Sequence, residues 1–77
     1  MSEFVATFHT HLSALLSCRS LEALGAEARM MPVPRKLSSS CGTCVRFEAD
    51  APPALSEDVE QLFRREGTEY LLVKSNF

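Results

Sequence analysis

The sequence predicts an α+β fold of the ferredoxin-like type, β-α-β-β-α-β, in which a four-stranded antiparallel sheet carries two helices on one face. Three observations predict it. Short runs rich in aromatic and β-branched residues are typical of strands. An apolar stripe at helical spacing follows the first run, and a second stripe precedes the last run. With 77 residues, we expect one domain, residues 1–77, with a small core.

The first half of the chain has the clearest pattern. Glu3–Phe8 is dominated by aromatic and β-branched residues and predicts the first strand. His11–Leu24 contains no Gly or Pro and predicts a helix that Thr10 caps and Gly25 follows. The stripe of this helix that should face the sheet consists of Ala14, Leu15, Cys18 and Leu21.

The second half predicts three more strands and another helix. Ala26–Val33 is interpreted as an edge strand because of the prolines in and after it. Cys44–Ala49 alternates apolar and polar residues and predicts the third strand. Ser56 is expected to cap the second helix, and Thr68–Val73 is expected to form the last strand. The apolar stripe of the second helix would be Val59, Leu62 and Phe63.

Composition excludes several classes of function. There are 8 Lys and Arg against 10 Asp and Glu, which gives a net charge of −2 and no electrostatic case for nucleic acid or an anionic membrane. No apolar run approaches the ~20 residues of a membrane helix, and the first residues lack the basic region of a signal peptide. An odd number of cysteines, three, fits a reducing cytoplasm better than a disulfide-stapled secreted domain.

The segment Pro32–Cys44 is the candidate site because it combines two cations, three serines and two cysteines. In the predicted topology it lies at the same rim of the sheet as His9 and His11. A cysteine acts as a nucleophile when it is a thiolate, and cations and hydrogen-bond donors stabilise that form. We therefore expect Cys41 to be the reactive thiol and Cys44 a resolving partner.

Other interpretations of the same residues remain open. Cys41 and Cys44 with His9 and His11 would make a Cys₂His₂ zinc set, although His-x-His at a strand end directs the two rings to opposite faces. The two cysteines could instead form a thiol-disulfide redox pair, or the loop could only dock a partner. Cys18 lies on the helix stripe and is interpreted as a core residue.

Several runs of this chain are similar to one known family. They are Thr7-Phe8-His9, Gly25, Met31-Pro32-Val33-Pro34-Arg35, Leu37-Ser38-Ser39-Ser40-Cys41-Gly42 and Val45-Arg46-Phe47. Together they resemble the small "putative Se/S carrier protein-like" family over nearly the whole chain. The resemblance implies a cytoplasmic bacterial or archaeal protein that carries selenium or sulfur on the cysteine matching Cys41. It also matches the family's Pro-Arg to Pro34 and Arg35, whereas Cys44 is not a uniform family feature.

These observations predict a sulfur or selenium carrier that uses Cys41 as a persulfide or perselenide site. The expected partner is a sulfur- or selenium-transfer enzyme, and the chain is more an accessory protein than a complete enzyme. We expect a monomer or weak homodimer, with no resident cofactor and no metal. The residues predicted to stabilise the cargo anion are Arg35, Ser38, Ser39, Ser40, Gly42 and His9.

Overall fold

Five strands and one helix make up the part of the chain that the structure, a computed structural model, describes: residues 2–37, 39, 41–51 and 58–75. The elements are β1 (Ser2–Phe8), α1 (His11–Ala23), β2 (Ala28–Pro32), β3 (Thr43–Ala49), β4 (Val59–Glu66) and β5 (Glu69–Ser75). The strands form one antiparallel sheet in the order β2-β3-β1-β4-β5.

The predicted ferredoxin-like fold is therefore wrong. The residues assigned to a second helix form β4, which pairs with β1 on one side and with β5 on the other. The sheet has five strands instead of four, and one helix covers it among the described residues. The predicted helix cap at Ser56 lies outside the described residues.

A β-bulge explains why β4 resembles a helix in sequence. The pairing of β1 with β4 shifts register between Thr7 and Phe8, and Glu60 is the extra residue of β4. Val59 and Leu62 are three positions apart, yet both are buried in the core beneath α1. A regular strand would have placed them on opposite faces. The bulge thus produces the i, i+3 spacing that normally indicates a helix.

The predicted helix and its cap are confirmed, but Leu15 of the predicted apolar stripe is only partly buried, and Ser13 and Ser17 are buried instead. The helix begins at His11, and the Thr10 side chain accepts a hydrogen bond from the Ser13 N–H at 3.1 Å. This bond satisfies one of the N–H groups that a helix start leaves without an intrahelical partner. The helix ends at Ala23, and Gly25 follows with a positive φ of 90°, a conformation that glycine adopts without strain.

The core lies between α1 and one face of the sheet, to which β1, β3 and β4 contribute buried side chains and β2 contributes partly buried ones. Phe4 on β1 and Phe47 on β3 are paired in the sheet, and their rings stack with centroids 5.5 Å apart. Cys18 is buried in this core, as the sequence predicted. The other side chains that the sheet and helix bury here include Ala6, Phe8, Ala14, Leu21, Val45, Val59 and Leu62.

One rim of the sheet collects the end of β1, the end of β2 and the start of β3. Thr7 pairs with Cys44, and Pro32 pairs with Thr43. The backbone N–H of Val33 donates to the Gly42 carbonyl at 3.1 Å, which closes the base of the intervening loop. The loop with Cys41 therefore lies beside the β1–α1 connection, as the sequence predicted. Among the described residues, no helix is long and apolar enough to cross a membrane.

Candidate functional site

Cys41 lies at this rim with a partly exposed side chain that also packs against the edge of the core. Its Sγ is 3.3 Å from the Phe8 carbonyl oxygen and 3.5 Å from the Thr43 carbonyl oxygen. A thiol has one proton, so it donates to one of these oxygens at a time. The two carbonyls orient the sulfur while leaving part of it accessible from solution.

Among the described residues, Ser39 is the one whose side-chain hydroxyl lies within hydrogen-bonding distance of this sulfur. Its Oγ is 3.8 Å from Cys41 Sγ, 2.9 Å from the Phe8 carbonyl oxygen and 3.0 Å from Glu60 Oε1. A serine hydroxyl donates a single proton. The sulfur, the carbonyl and the carboxylate therefore compete for the same donor.

Glu60 belongs to the site, although the sequence did not predict it. The bulge in β4 places this residue at the rim, where Oε1 meets Ser39 and Oε2 lies 3.6 Å from Nδ1 of His9. The backbone N–H of His9 donates to the Asp58 carbonyl at 3.1 Å, which holds the β1–α1 connection against the start of β4. In sequence, Glu60 falls in the first turns of the predicted second helix, where acidic residues match the helix dipole, and only recognition of a strand with a bulge would have found it.

The remaining predicted residues of the rim have different surroundings. Nδ1 of His11 lies 3.3 Å from Thr43 Oγ1, so this ring contacts the start of β3. Gly42 has a positive φ of 74°, which lets the chain turn from Cys41 into β3. The predicted residues Ser38 and Ser40 lie outside the described residues.

The two cations of the loop do not reach the sulfur. Lys36 Nζ donates to the Thr68 carbonyl at 2.7 Å and lies 3.5 Å from Glu69 Oε1, so it ties the loop to the β4–β5 turn. Arg35 is exposed and, within the described part of the chain, forms no hydrogen bond or ion pair. The structure thus brings Ser39 and His9 to the neighbourhood of Cys41 but leaves Arg35 in solvent.

Cys44 occupies a very different environment from Cys41. Its side chain is fully buried, and its Sγ lies 3.8 Å from the Pro32 carbonyl oxygen. Because neighbouring strand residues alternate between faces, Cys44 points away from the α1 side, to which Val45 contributes. Burial, together with the charge of Cys41, raises the pKa of Cys44 to about 11. In this state Cys44 is a protonated thiol.

The zinc interpretation receives no geometric support in the described residues, where no group of three or more His, Cys, Asp or Glu side chains is arranged to hold a metal. All three cysteines are free thiols. In its described part, the site therefore offers one partly exposed sulfur with acceptor oxygens around it and the shared hydroxyl donor of Ser39.

A small sheet protein with an accessible thiol at its rim is the class that the fold and site define. A family model described as "Putative Se/S carrier protein-like" matches residues 3–73, and the chain belongs to this family. The family name suggests a carrier of selenium or sulfur and so implies partners that transfer these elements.

A curated relative is similar over part of the chain. It is the "Uncharacterized protein YtiA" of Escherichia coli (strain K12), which is 33% identical over 45 residues. The match covers 58% of this chain and 53% of the relative, so the chain spans about half the length of the curated protein it matches. No solved structure matches the chain.

Proposed function

We propose that the protein carries sulfur or selenium as a persulfide or perselenide on Cys41. The observation that carries the proposal is the state of its thiol: Sγ is held by the carbonyls of Phe8 and Thr43, is partly exposed, and has the Ser39 hydroxyl beside it. By contrast, Cys18 and Cys44 are buried. A sulfur that must be reached by a donor and then by an acceptor has to be accessible.

Loading requires no oxidant. The thiolate of Cys41 attacks the outer sulfur or selenium atom of a donor persulfide or perselenide, a new bond forms to that atom, and the donor thiolate leaves. The donor recovers a thiol, and the carrier gains one atom in its zero-valent state. The proton that leaves the Cys41 thiol is balanced by the proton that the donor thiolate takes up.

Among the described residues, Ser39 is the group best placed to support the charged sulfur or the cargo bound to it. Its hydroxyl lies 3.8 Å from Sγ, and it can also donate to the Phe8 carbonyl or to the Glu60 carboxylate, whose other oxygen lies beside His9. Contributions from His9, Arg35, Ser38, Ser40 and Gly42 to binding of the anion remain predictions.

Cargo can leave in two ways. An acceptor nucleophile can attack the outer atom, which returns Cys41 to a thiol. Alternatively, the Cys44 thiolate can attack Sγ of Cys41, which forms a disulfide and releases hydrosulfide or hydroselenide; an external thiol must then reduce the disulfide. Because Cys44 is buried and its pKa is raised, we propose transfer to an external acceptor as the main route. The resolving role of Cys44 stays a prediction.

We further propose that the chain is a single domain, residues 1–77, which works in the cytoplasm as an accessory to a sulfur- or selenium-transfer enzyme. The described part of the site consists of one thiol and a few hydrogen-bonding groups. Such a site holds an atom between two reactions but offers little to bind a larger substrate.

The test is loading of the reduced protein with glutathione persulfide and, separately, with its selenium analogue, followed by intact native mass spectrometry. We expect an addition of one sulfur or selenium atom that reductant removes and that maps to Cys41. Cys41→Ser should abolish it, whereas the control Cys18→Ala should retain it because that thiol is buried in the core.

Two results would contradict the carrier proposal. One is a Cys41→Ser protein that still takes up the atom, and the other is a wild-type protein that takes up cargo from neither donor. A loss of two hydrogens, reversed by reductant and absent in Cys44→Ser, would instead support the redox pair of Cys41 and Cys44.

A further inference from the structure

The two edges of the sheet are built differently. Edge strand β2 has five residues, carries the exposed Arg29 and ends at Pro32. Edge strand β5 has seven residues and no proline. Three consecutive apolar side chains of β5 are exposed: Leu71 at 46%, Leu72 at 54% and Val73 at 41%.

This difference matters because an edge strand presents unpaired N–H and C=O groups to solution. Short length, charge and proline protect such an edge from pairing, and β2 has all three. The central residues of β5, Leu71 and Leu72, are apolar and lie on opposite faces of the sheet. Covering this edge would therefore remove exposed apolar surface from water on both faces of the sheet.

We propose that β5 pairs in antiparallel fashion with β5 of a second copy, so that one continuous sheet runs through a two-fold dimer. The proposal does not depend on the carrier function. Strand β4 lies between β5 and the strand that ends beside Cys41, so this pairing leaves the thiol accessible.

The sequence of β5 is complementary to itself in this arrangement. A two-fold axis that relates two antiparallel edge strands is perpendicular to the sheet. It runs midway between the two copies of one residue, which therefore pair with each other, and paired residues direct their side chains to the same face of the sheet. With the axis at Leu71, that residue faces its own copy, Tyr70 faces Leu72 and Glu69 faces Val73. In these pairs no like charges oppose each other, and Tyr70 and Leu72 remove apolar surface from water where they meet across the two strands.

The irregularity of β5 supports this register. Along the pairing with β4, Phe63 opposes Leu72 and the next residue, Leu62, opposes Lys74, so regular alternation ends after Leu72. An axis at Leu71 confines the central pairs to the regular part of the strand. An axis at Leu72 would extend them across the irregularity.

The experiment is sedimentation equilibrium of the full chain over a range of concentrations. We expect a monomer–dimer equilibrium for the wild type. Leu71→Lys places two lysines against each other at the axis, and we expect the dissociation constant to rise by about tenfold or more because of like-charge repulsion. Leu24→Lys is the matched control, because that leucine is 80% exposed and lies at the end of α1. It should dimerise as the wild type does.

Pairing of β5 with its own copy also predicts the result of mixing two oppositely charged variants. Leu71→Lys and Leu71→Glu proteins should each be mainly monomeric, and an equimolar mixture should form a heterodimer, because lysine then faces glutamate across the axis. A wild type that stays monomeric at every concentration would overturn the proposal and leave the edge to an extended peptide of another protein. A dimer that Leu71→Lys does not weaken would overturn it equally.

Discussion

The buried thiol of Cys44 predicts a loss of stability at alkaline pH. Its side chain has no exposed surface, and its pKa is raised from 9.0 to about 11, chiefly by burial. Unfolding returns the thiol to water, where its ordinary pKa applies. Between these two values the unfolded state releases the Cys44 proton while the folded state retains it.

The sign and size of the effect follow from proton linkage. Stability falls with rising pH wherever the folded state binds more protons than the unfolded state. The contribution of Cys44 is therefore fully present below pH 9 and is lost as the pH approaches 11. A difference of about 2 pKa units corresponds to about 2.7 kcal/mol of unfolding free energy.

The measurement is equilibrium unfolding by guanidinium chloride, under reducing conditions, at a series of pH values across this range. The matched variant is Cys44→Ala, which loses the packing of the sulfur at every pH but has no thiol to titrate at that position. Ionising groups that do not interact with Cys44, including Cys18, cancel in the difference between the two proteins, whereas the interaction with Cys41 is part of the measured effect. We expect the advantage of the wild type over Cys44→Ala to shrink by about 2.4 kcal/mol between pH 8.5 and pH 11.5, which is most of the full effect.

A constant difference between the two proteins over this range would refute the reasoning. It would mean that Cys44 titrates in the folded protein as it does in water and is therefore more open than its burial indicates. That result would strengthen the resolving role of Cys44, because an accessible thiolate could attack the sulfur of Cys41.

Two further predictions concern the rim. Glu60→Gln should speed the alkylation of Cys41 by iodoacetamide at neutral pH about twofold to tenfold. The Glu60 carboxylate lies within roughly 7 Å of the sulfur through Ser39, and at that distance its repulsion of the Cys41 thiolate is about 0.6 to 2.4 kcal/mol. Removing this repulsion makes the thiolate easier to form but less nucleophilic, and the lower nucleophilicity offsets part of the gain in rate. An unchanged or slower rate would exclude Glu60 from control of the thiol. Thr10→Ala should lower the free energy of unfolding by about 1 kcal/mol through loss of the helix cap. Thr10→Ser should retain most of the stability, because serine also caps helices. Equal losses in the two variants, measured by denaturant unfolding, would contradict the capping argument.

Local signals predicted the first half of the fold correctly. The cap at Thr10, the run without Gly or Pro and the glycine after the helix are short-range features, and they act wherever the chain lies. The alternation of β3 has the same character, since Val45 and Phe47 face the core as expected. The prediction failed at β4, where Glu, Gln and Arg favour a helix by intrinsic propensity but pairing with strands on both sides decides the outcome.

The site shows the same division. The loop of Cys41 and its position beside His9 could be predicted, because the order of the first strands brings these segments to one rim. Ser39 was predicted together with Ser38 and Ser40, and only the structure shows its contacts with Glu60 and the sulfur. Arg35 was expected at the sulfur because it is near in sequence, but its side chain lies in solvent.

The sequence by itself determined the helix with its cap, the strands β1, β2, β3 and β5, the family and the position of Cys41 in the loop at the rim. These depend on residue type and short spacing, which the chain carries in any environment. Only the tertiary structure decided that Val59–Glu66 is a strand, that its bulge turns Glu60 toward Ser39, and that Cys44 is buried while Cys41 is accessible. Each of these depends on which distant segments pack together, and the energy of that packing exceeds the local preference of the residues involved.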